Sequence, residues 1–247
     1  MKYKAIILDL DDTTVVHGKD SLPTPRVAQA IANAQKKIHV CVATARPLTE
    51  AKPIFDHLAL SGPCVITNGT QIYDPIKKEI IYEVTLPNDI LPKIFALCQR
   101  YTLAPLVHDG TKDVRYRQNK PPGKALSVYI PEIEQEDIDF FVKVFSVDER
   151  IQVQKLIAWD KRYMSLDIMS SEASKLHGIL EVARILGITT EEIIGVGDGY
   201  NDFPLLMACG LKIAMGNAVP ELKEIADFVA PTVYEDGVAT VIEKFVL

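Results

Sequence analysis

Asp9 and Asp11 stand at alternate positions where the apolar run Ala5-Ile6-Ile7-Leu8 gives way to Asp9-Leu10-Asp11-Asp12-Thr13-Thr14. Side chains two apart on a strand share a face, and the loop that follows can twist the pair apart. Carboxylates placed this close repel, and one pKa rises unless a cation sits between them. Metal-assisted attack by a carboxylate is a chemistry that such a pair serves. An acidic turn that caps the next element is the other reading. The run alone leaves both open.

A second acidic turn breaks the tie. Ile193-Ile194-Gly195-Val196 runs into Gly197-Asp198-Gly199, and Tyr200-Asn201-Asp202 opens a helix. Glycines on both sides of Asp198 permit a sharp turn and close approach to a ligand. Asp202, four residues on, falls in the first helical turn, on the same side if the helix starts early. Two strand ends that each carry carboxylates make a hard, all-oxygen donor set of the kind that suits magnesium. An N-cap accounts for Asn201 or Asp202, but not for Asp198.

Two further segments offer groups for an anion. Val40-Cys41-Val42-Ala43 ends at Thr44, and Ala45-Arg46 leads to Pro47, placed to open a helix at its first position. A phosphate there would meet the Thr44 hydroxyl and N–H groups near a helix N-terminus. Lys175 begins an amphipathic segment that runs to Leu186. A lysine at a helix start opposes the macrodipole and costs about 0.3 kcal/mol or more. Its place is informative if an anion lies nearby; taken alone, it reads as a solvated lysine.

The elements that must position these residues alternate. Strands are expected over 5–10, 38–43, 64–67, 193–196, 211–214 and 228–230. Helices are expected over 24–37, 47–58, 175–186, 202–208, 220–226 and 237–245, and a hairpin over 71–82 with Asp74-Pro75 at its turn. Such alternation implies an α/β fold, a Rossmann-like, doubly wound parallel sheet with helices on both faces. Its ligands bind at the carboxyl ends of the strands, where Asp9, Asp11, Thr44 and Asp198 all fall. Between 83 and 169 the texture changes to helices over 87–100 and 135–145. Each is followed by short strands, at 105–108, 114–117 and 125–130 and then at 151–157 and 163–168. The pattern reads as an inserted α+β domain on an antiparallel sheet, with a faint internal duplication. The expected domains are therefore 1–82 with 170–247, and 83–169.

Taken together, the motifs resemble the haloacid dehalogenase superfamily, and within it the Cof-like sugar-phosphate phosphatases with a large, type IIB cap. Asp9-Leu10-Asp11-Asp12-Thr13 matches the family's first motif and Thr44 its second. Lys175 matches the lysine motif, and Gly197 through Asp202 the Gly-Asp-Gly-x-Asn-Asp motif. Lesser echoes are Ile66-Thr67-Asn68-Gly69, Ala214-Met215-Gly216-Asn217-Ala218 and Glu235-Asp236-Gly237-Val238-Ala239. Asp12, Thr14 and Ala45 depart from the usual residues, and none of the three removes a functional group. Asp12 reads as a turn-former.

What the resemblance implies is a phosphatase that acts through an aspartyl-phosphate. Asp9 is then the nucleophile and Asp11 the general acid and base. Asp9, the backbone carbonyl of Asp11 and Asp198 are to hold Mg2+, with Asp202 among the metal-site acids and orienting its waters. Lys175, Thr44, Asn201 and the backbone N–H groups of Leu10 and Ala45 are to hold the phosphoryl oxygens. The alternatives within the fold are a phosphomutase of the phosphomannomutase type and a specialised phosphoglycolate phosphatase. The inserted domain is expected to choose the substrate. There Lys112, Arg115, Arg117, Lys120 and Lys124 form either a solvated hairpin or a contact for a second anionic group. His17 is placed near a substrate or left without a role. His108, His39 and His57 are given no site role, and Trp159 is expected in the core.

Composition bounds the rest. A chain of 247 residues, 48% hydrophobic and 24% charged, is long enough for one large or two modest domains. A net charge of -6 argues against a general nucleic-acid binder. Cys41, Cys64, Cys98 and Cys209 lack Cys-x-x-Cys spacing and read as small buried hydrophobes of a reducing compartment. No signal-like start and no apolar stretch of about 20 residues is found. The expectation is a cytoplasmic enzyme that meets small phosphorylated molecules and neither membrane nor nucleic acid; the sequence is silent on oligomeric state.

Overall fold

The computed structural model describes residues 2–18, 21–115, 123–158, 160 and 162–247. The elements in chain order are β1 (Ala5–Leu8), α1 (Pro25–Ala34), β2 (His39–Val42), α2 (Leu48–His57), β3 (Cys64–Ile66), β4 (Gln71–Asp74) and β5 (Glu79–Glu83). Next come α3 (Leu91–Arg100), β6 (Leu106–His108), β7 (Asp113–Arg115), β8 (Ser127–Glu134), α4 (Ile138–Phe145), β9 (Ile151–Ile157) and β10 (Tyr163–Ser170). The chain closes with α5 (Lys175–Leu186), β11 (Ile193–Gly197), α6 (Phe203–Ala208), β12 (Leu211–Ala214), α7 (Pro220–Glu224), β13 (Phe228–Val229) and α8 (Gly237–Phe245). Two compact units result, residues 1–82 with 175–247, and residues 83–174.

The first unit is built on a parallel sheet in the order β13-β12-β11-β1-β2. Its central strands are apolar throughout because both faces are covered; Ala5, Ile6, Ile7 and Leu8 are all fully buried. Helix α1 packs beside α8, and α5 beside α6. Register brings three strand ends level: Leu8 pairs with Val196 on one side and with Val42 on the other. The next residues out are therefore Asp9, Gly197-Asp198 and Ala43-Thr44, where sheet order reverses about β1. A bridge from Ala43 to Val65 sets β3 beside β2. Strands β3, β4 and β5 form a second sheet. The β4–β5 turn is an Asx turn, in which Asp74 Oδ1 accepts from the N–H groups of Ile76 and Lys77.

The second unit carries an antiparallel sheet in the order β7-β6-β8-β10-β9. Val107, Val128 and Ile168 align across it, and Ile130 with Leu166, all fully buried. Helix α4 packs on β9 and β10 through Phe141 and Phe145, and Tyr101 and Phe140 stack edge-on against Phe141. The sequence pattern of helices followed by hairpins is thus a helix-backed sheet. Arg117, Lys120 and Trp159 lie outside the described residues.

Two helices begin one residue later than the sequence pattern suggests. Pro47 is the N-cap of α2 rather than its first residue, so the helix begins at Leu48. Residues 200–202 form a 3-10 turn, and α6 starts one residue beyond Asp202. All four cysteines are buried and unpaired. No helix among the described residues is long and apolar enough to cross a membrane.

Candidate active site

Asp9 sits one residue past β1, where its N–H still bonds to Val196 O at 2.9 Å. The chain then doubles back: Leu10 O accepts from the N–H groups of Thr13, Thr14 and Val15. Asp12 takes the left-handed conformation, with φ 53°, which Asp tolerates better than most residues. Its Oδ1 accepts the His17 N–H at 3.1 Å, and its carbonyl accepts from Asn217 Nδ2 at 2.7 Å. Asp12 is a turn-former here. Across this turn the two carboxylates take different partners. Asp9 meets Lys175, and Asp11 meets Arg46.

Lys175 is the first residue of α5 and is only 2% exposed. The solvated-lysine reading therefore falls. Its Nζ donates to Asp9 Oδ1 at 2.6 Å and to Asp202 Oδ1 at 2.5 Å, and both acids are buried. Close helix packing puts it there: a Cβ on Gly178 would fall 2.5 Å from Val65 Cγ1. Glycine in mid-helix costs about 1 kcal/mol relative to alanine, and here it lets α5 lie against β3.

Asp202 is fully buried, and both its oxygens are committed. Oδ1 takes Lys175, while Oδ2 accepts the N–H groups of Asp198 and Gly199, each at 2.9 Å. The flanking glycines serve this contact. Gly197 and Gly199 do not adopt positive φ, so conformational freedom is not their reason. A Cβ on Gly197 would lie 2.4 Å from Asp202 Cγ. Space for a buried carboxylate is what the position requires. Asp198 in turn receives the Thr13 hydroxyl on Oδ1 at 2.6 Å.

Asp9, Asp198 and Asp202 offer carboxylate oxygens that all lie within 4.8 Å of one another. Three carboxylates and one ammonium leave excess negative charge in a buried site. Burial, with the charges of Asp202 and Asp11, pushes the Asp9 carboxyl up to about 8 even though Lys175 opposes the shift. Burial and the neighbouring Asp202 and Asp9 hold Asp198 well above the carboxylate range. Burial pulls Lys175 down, but Asp202 and Asp9 outweigh it and the net shift is upward. A divalent cation would relieve the two raised acids, and the donors are hard oxygens. The residues present fit such an ion.

The remaining expected residues lie around this cluster. Thr44, buried, accepts the Arg46 N–H on Oγ1 at 3.1 Å, so that N–H is already used within the turn. Ala45 is partly exposed between them. Asn201 donates to Asn68 Oδ1 at 3.2 Å. Thr67 and Asn68 both have positive φ, 49° and 52°. For the β-branched Thr67 this is an unfavourable conformation, and local strain of this kind gathers at functional sites. The turn is held by Thr67 N–H to Arg46 O and Asn68 N–H to Thr44 O, both 3.0 Å.

The family model of the haloacid dehalogenase-like hydrolases matches residues 6–242. The chain belongs to that family. It is 26% identical to the 5-amino-6-(5-phospho-D-ribitylamino)uracil phosphatase YcsE of Bacillus subtilis, over 99% of this chain and 96% of that one. It is also 26% identical to the phosphoglycolate phosphatase of Methanopyrus kandleri, over 97% and 95% of the two chains. The solved structure of a subclass IIB sugar phosphatase matches with a TM-score of 0.82 at 20% identity, covering 98% of each chain. That last likeness is one of fold.

Sequence reasoning about this hydrolase does not single out Arg46, Thr13 or Asn68 as functional groups, although each lies within or beside one of the matched segments. The signal is a polar or charged residue in the turn that follows an apolar strand; what each one touches depends on segments far away in the chain. In the second unit, Lys124 Nζ bonds both carboxylate oxygens of Glu83 at 2.8 Å, while Lys112 and Arg115 are exposed. His17 Nδ1 lies 3.5 Å from Asp11 Oδ1. His108 is buried, with Nδ1 3.0 Å from Asp113, and His39 and His57 are on the surface.

Proposed function

We propose that this hydrolase is a magnesium-dependent phosphatase of small phosphorylated metabolites, sugar phosphates foremost, working through an aspartyl-phosphate. The observation that carries the reading is the buried Asp9–Lys175–Asp202 contact beside Asp198, which joins residues 166 positions apart at one strand end. Lys175 occupies Asp9 Oδ1, which leaves Oδ2 with no hydrogen-bond donor among the described residues. Asp9 and Asp198 are the carboxylates with oxygens to offer a metal, and Asp202 fixes Lys175 and the 198–199 turn. When bound, the ion supplies charge neutralisation for a phosphate dianion that Asp9 would otherwise repel.

The chain's own residues then carry two steps. An Asp9 carboxylate oxygen bonds to phosphorus while the ester P–O bond breaks, and the leaving oxygen takes a proton from the Asp11 carboxyl. Water next attacks phosphorus and gives its proton to Asp11. The bond to Asp9 breaks, and phosphate leaves. Lys175, Thr44 and Asn201 hold the phosphoryl oxygens, and Asn68 orients Asn201.

A phosphorylated ribityl compound is named as the substrate of one relative and phosphoglycolate of another, so both classes belong in the test. A phosphate-release screen over phosphorylated metabolites, with and without magnesium, should find metal-dependent turnover that is richest among sugar and polyol phosphates. Asp9→Asn should abolish it with the fold intact; retained turnover in that variant ends this mechanism. Formation of an isomeric sugar phosphate in place of free phosphate would convert the reading to a mutase.

A further inference from the structure

Arg46 is a charged side chain only 3% exposed. Burying a guanidinium costs several kcal/mol unless its donors are matched. Here Nε donates to Asp11 Oδ2 at 2.9 Å and Nη2 to Asp11 Oδ1 at 2.6 Å. Nη2 also donates to Gly18 O at 2.9 Å, which ties the loop after β1 to the end of β2. The arginine is itself anchored at both backbone ends: its N–H donates to Thr44 Oγ1, and its carbonyl accepts from Thr67 N–H. A strained turn and a buried threonine therefore fix the backbone from which this guanidinium reaches Asp11 and Gly18.

Two N–H groups on two oxygens fix the plane of a carboxylate, which a single-point contact does not. A loop staple alone needs only the Gly18 contact. Asp11 is also the more exposed of the two acids, at 24% of its side chain against 8% for Asp9. The two are thus divided between cations, Asp9 on Lys175 and Asp11 on Arg46.

We propose that Arg46 is a positioning residue for the proton transfers of this site. It holds the Asp11 carboxyl in one plane so that the lone-pair directions left over by the clamp meet the leaving oxygen in the first step and water in the second. The proposal rests on the phosphatase reading. The guanidinium exchanges no proton; the one that reaches the leaving oxygen comes from Asp11 and is replaced from the attacking water.

Leaving-group dependence tests it. p-Nitrophenolate departs without a proton, whereas the alkoxide of β-glycerophosphate needs one. The quantity kcat/KM reports steps up to the first irreversible one, so phosphorylation of Asp9 is isolated from its hydrolysis. In the full chain with magnesium, Arg46→Gln should lower kcat/KM for β-glycerophosphate about 100-fold and for p-nitrophenyl phosphate less than about 5-fold. Arg46→Lys, with a point charge and no fork, should not restore the alkyl substrate. Asp11→Asn should give the same pattern, and the double variant should lose little more than either single one. Both substrates are read on one preparation, so the fraction folded cancels in their ratio. Equal losses on the two substrates would make Arg46 a structural staple and overturn the proposal. A gain on the alkyl substrate would mean the clamp restrains Asp11, and would also overturn it. Wild-type protein that releases phosphate from neither substrate would bring down the phosphatase reading itself, a result distinct from both.

Discussion

Lys175→Met removes the only cation bonded to Asp9 and Asp202 among the described residues. Both acids and the lysine are nearly inaccessible to water, so water cannot take the ammonium's place. Breaking a buried pair from one side costs about 3–5 kcal/mol, and metal-free protein should lose that much at about pH 7. The loss should grow with pH. The Asp9 carboxyl is pushed up to about 8 in the metal-free wild type. Below that value Asp9 is neutral, and only the Asp202 pair is lost. Above it Asp9 ionises against Lys175 in the wild type, whereas the variant must bury a bare carboxylate or keep it protonated. The difference between the two proteins then widens by up to about 1.4 kcal/mol per pH unit. Urea melts in EDTA at several pH values read this directly. Adding Asp202→Asn should recover about 1–3 kcal/mol, because both partners of one ion pair are then gone and the amide still offers an acceptor to the Asp198 and Gly199 N–H groups. With magnesium restored, the lysine variant should fall about 100- to 1000-fold in kcat, the worth of one preorganised charge at a reacting centre. A stability loss under about 1 kcal/mol that is flat with pH would refute the claim that Lys175 is the counter-charge of this site.

Two further outcomes follow from the same geometry. Gly178→Ala should destabilise by about 1–3 kcal/mol despite better helix propensity, because its Cβ meets Val65 at 2.5 Å; Val65→Ala in the same chain should restore kcat, and a Gly178→Ala protein as stable and active as wild type would deny the close packing that sets Lys175. Metal binding at Asp9 and Asp198 should displace protons held by raised carboxyls, so that magnesium affinity climbs as the pH rises toward and through about 8; calorimetry in buffers of different ionisation enthalpy reads the released protons, and an affinity that ignores pH below that value would count against these ligands.

Much of the core architecture is written in local pattern. Runs such as Ala5–Leu8 and Ile193–Gly197 are apolar at every position because both faces of a parallel strand are covered. Their polar residues can therefore come only at the ends, and an aspartate in that place is already at a strand's carboxyl terminus. Thr44 and Asp198 were legible for the same reason, whereas Lys175, at a helix start, reads as solvated until an anion is placed beside it. The four buried cysteines and the Asx turn at Asp74 also follow from side-chain chemistry over a few residues.

Direction was not legible. Which cation Asp9 and Asp11 each meet depends on the turn that Leu10 O collects, and a helix first residue is solvated or buried according to what lies 166 residues away. The chain's glycines look alike in sequence, yet Gly197 makes room for Asp202 and Gly178 for Val65. Sequence determined which residues reach the strand ends, since burial of a two-faced strand excludes them anywhere else. The tertiary structure decided which cation each acid meets, Lys175 for Asp9 and Arg46 for Asp11. Hydrogen bonds act over about 3 Å, and only the folded chain brings such distant segments within that range.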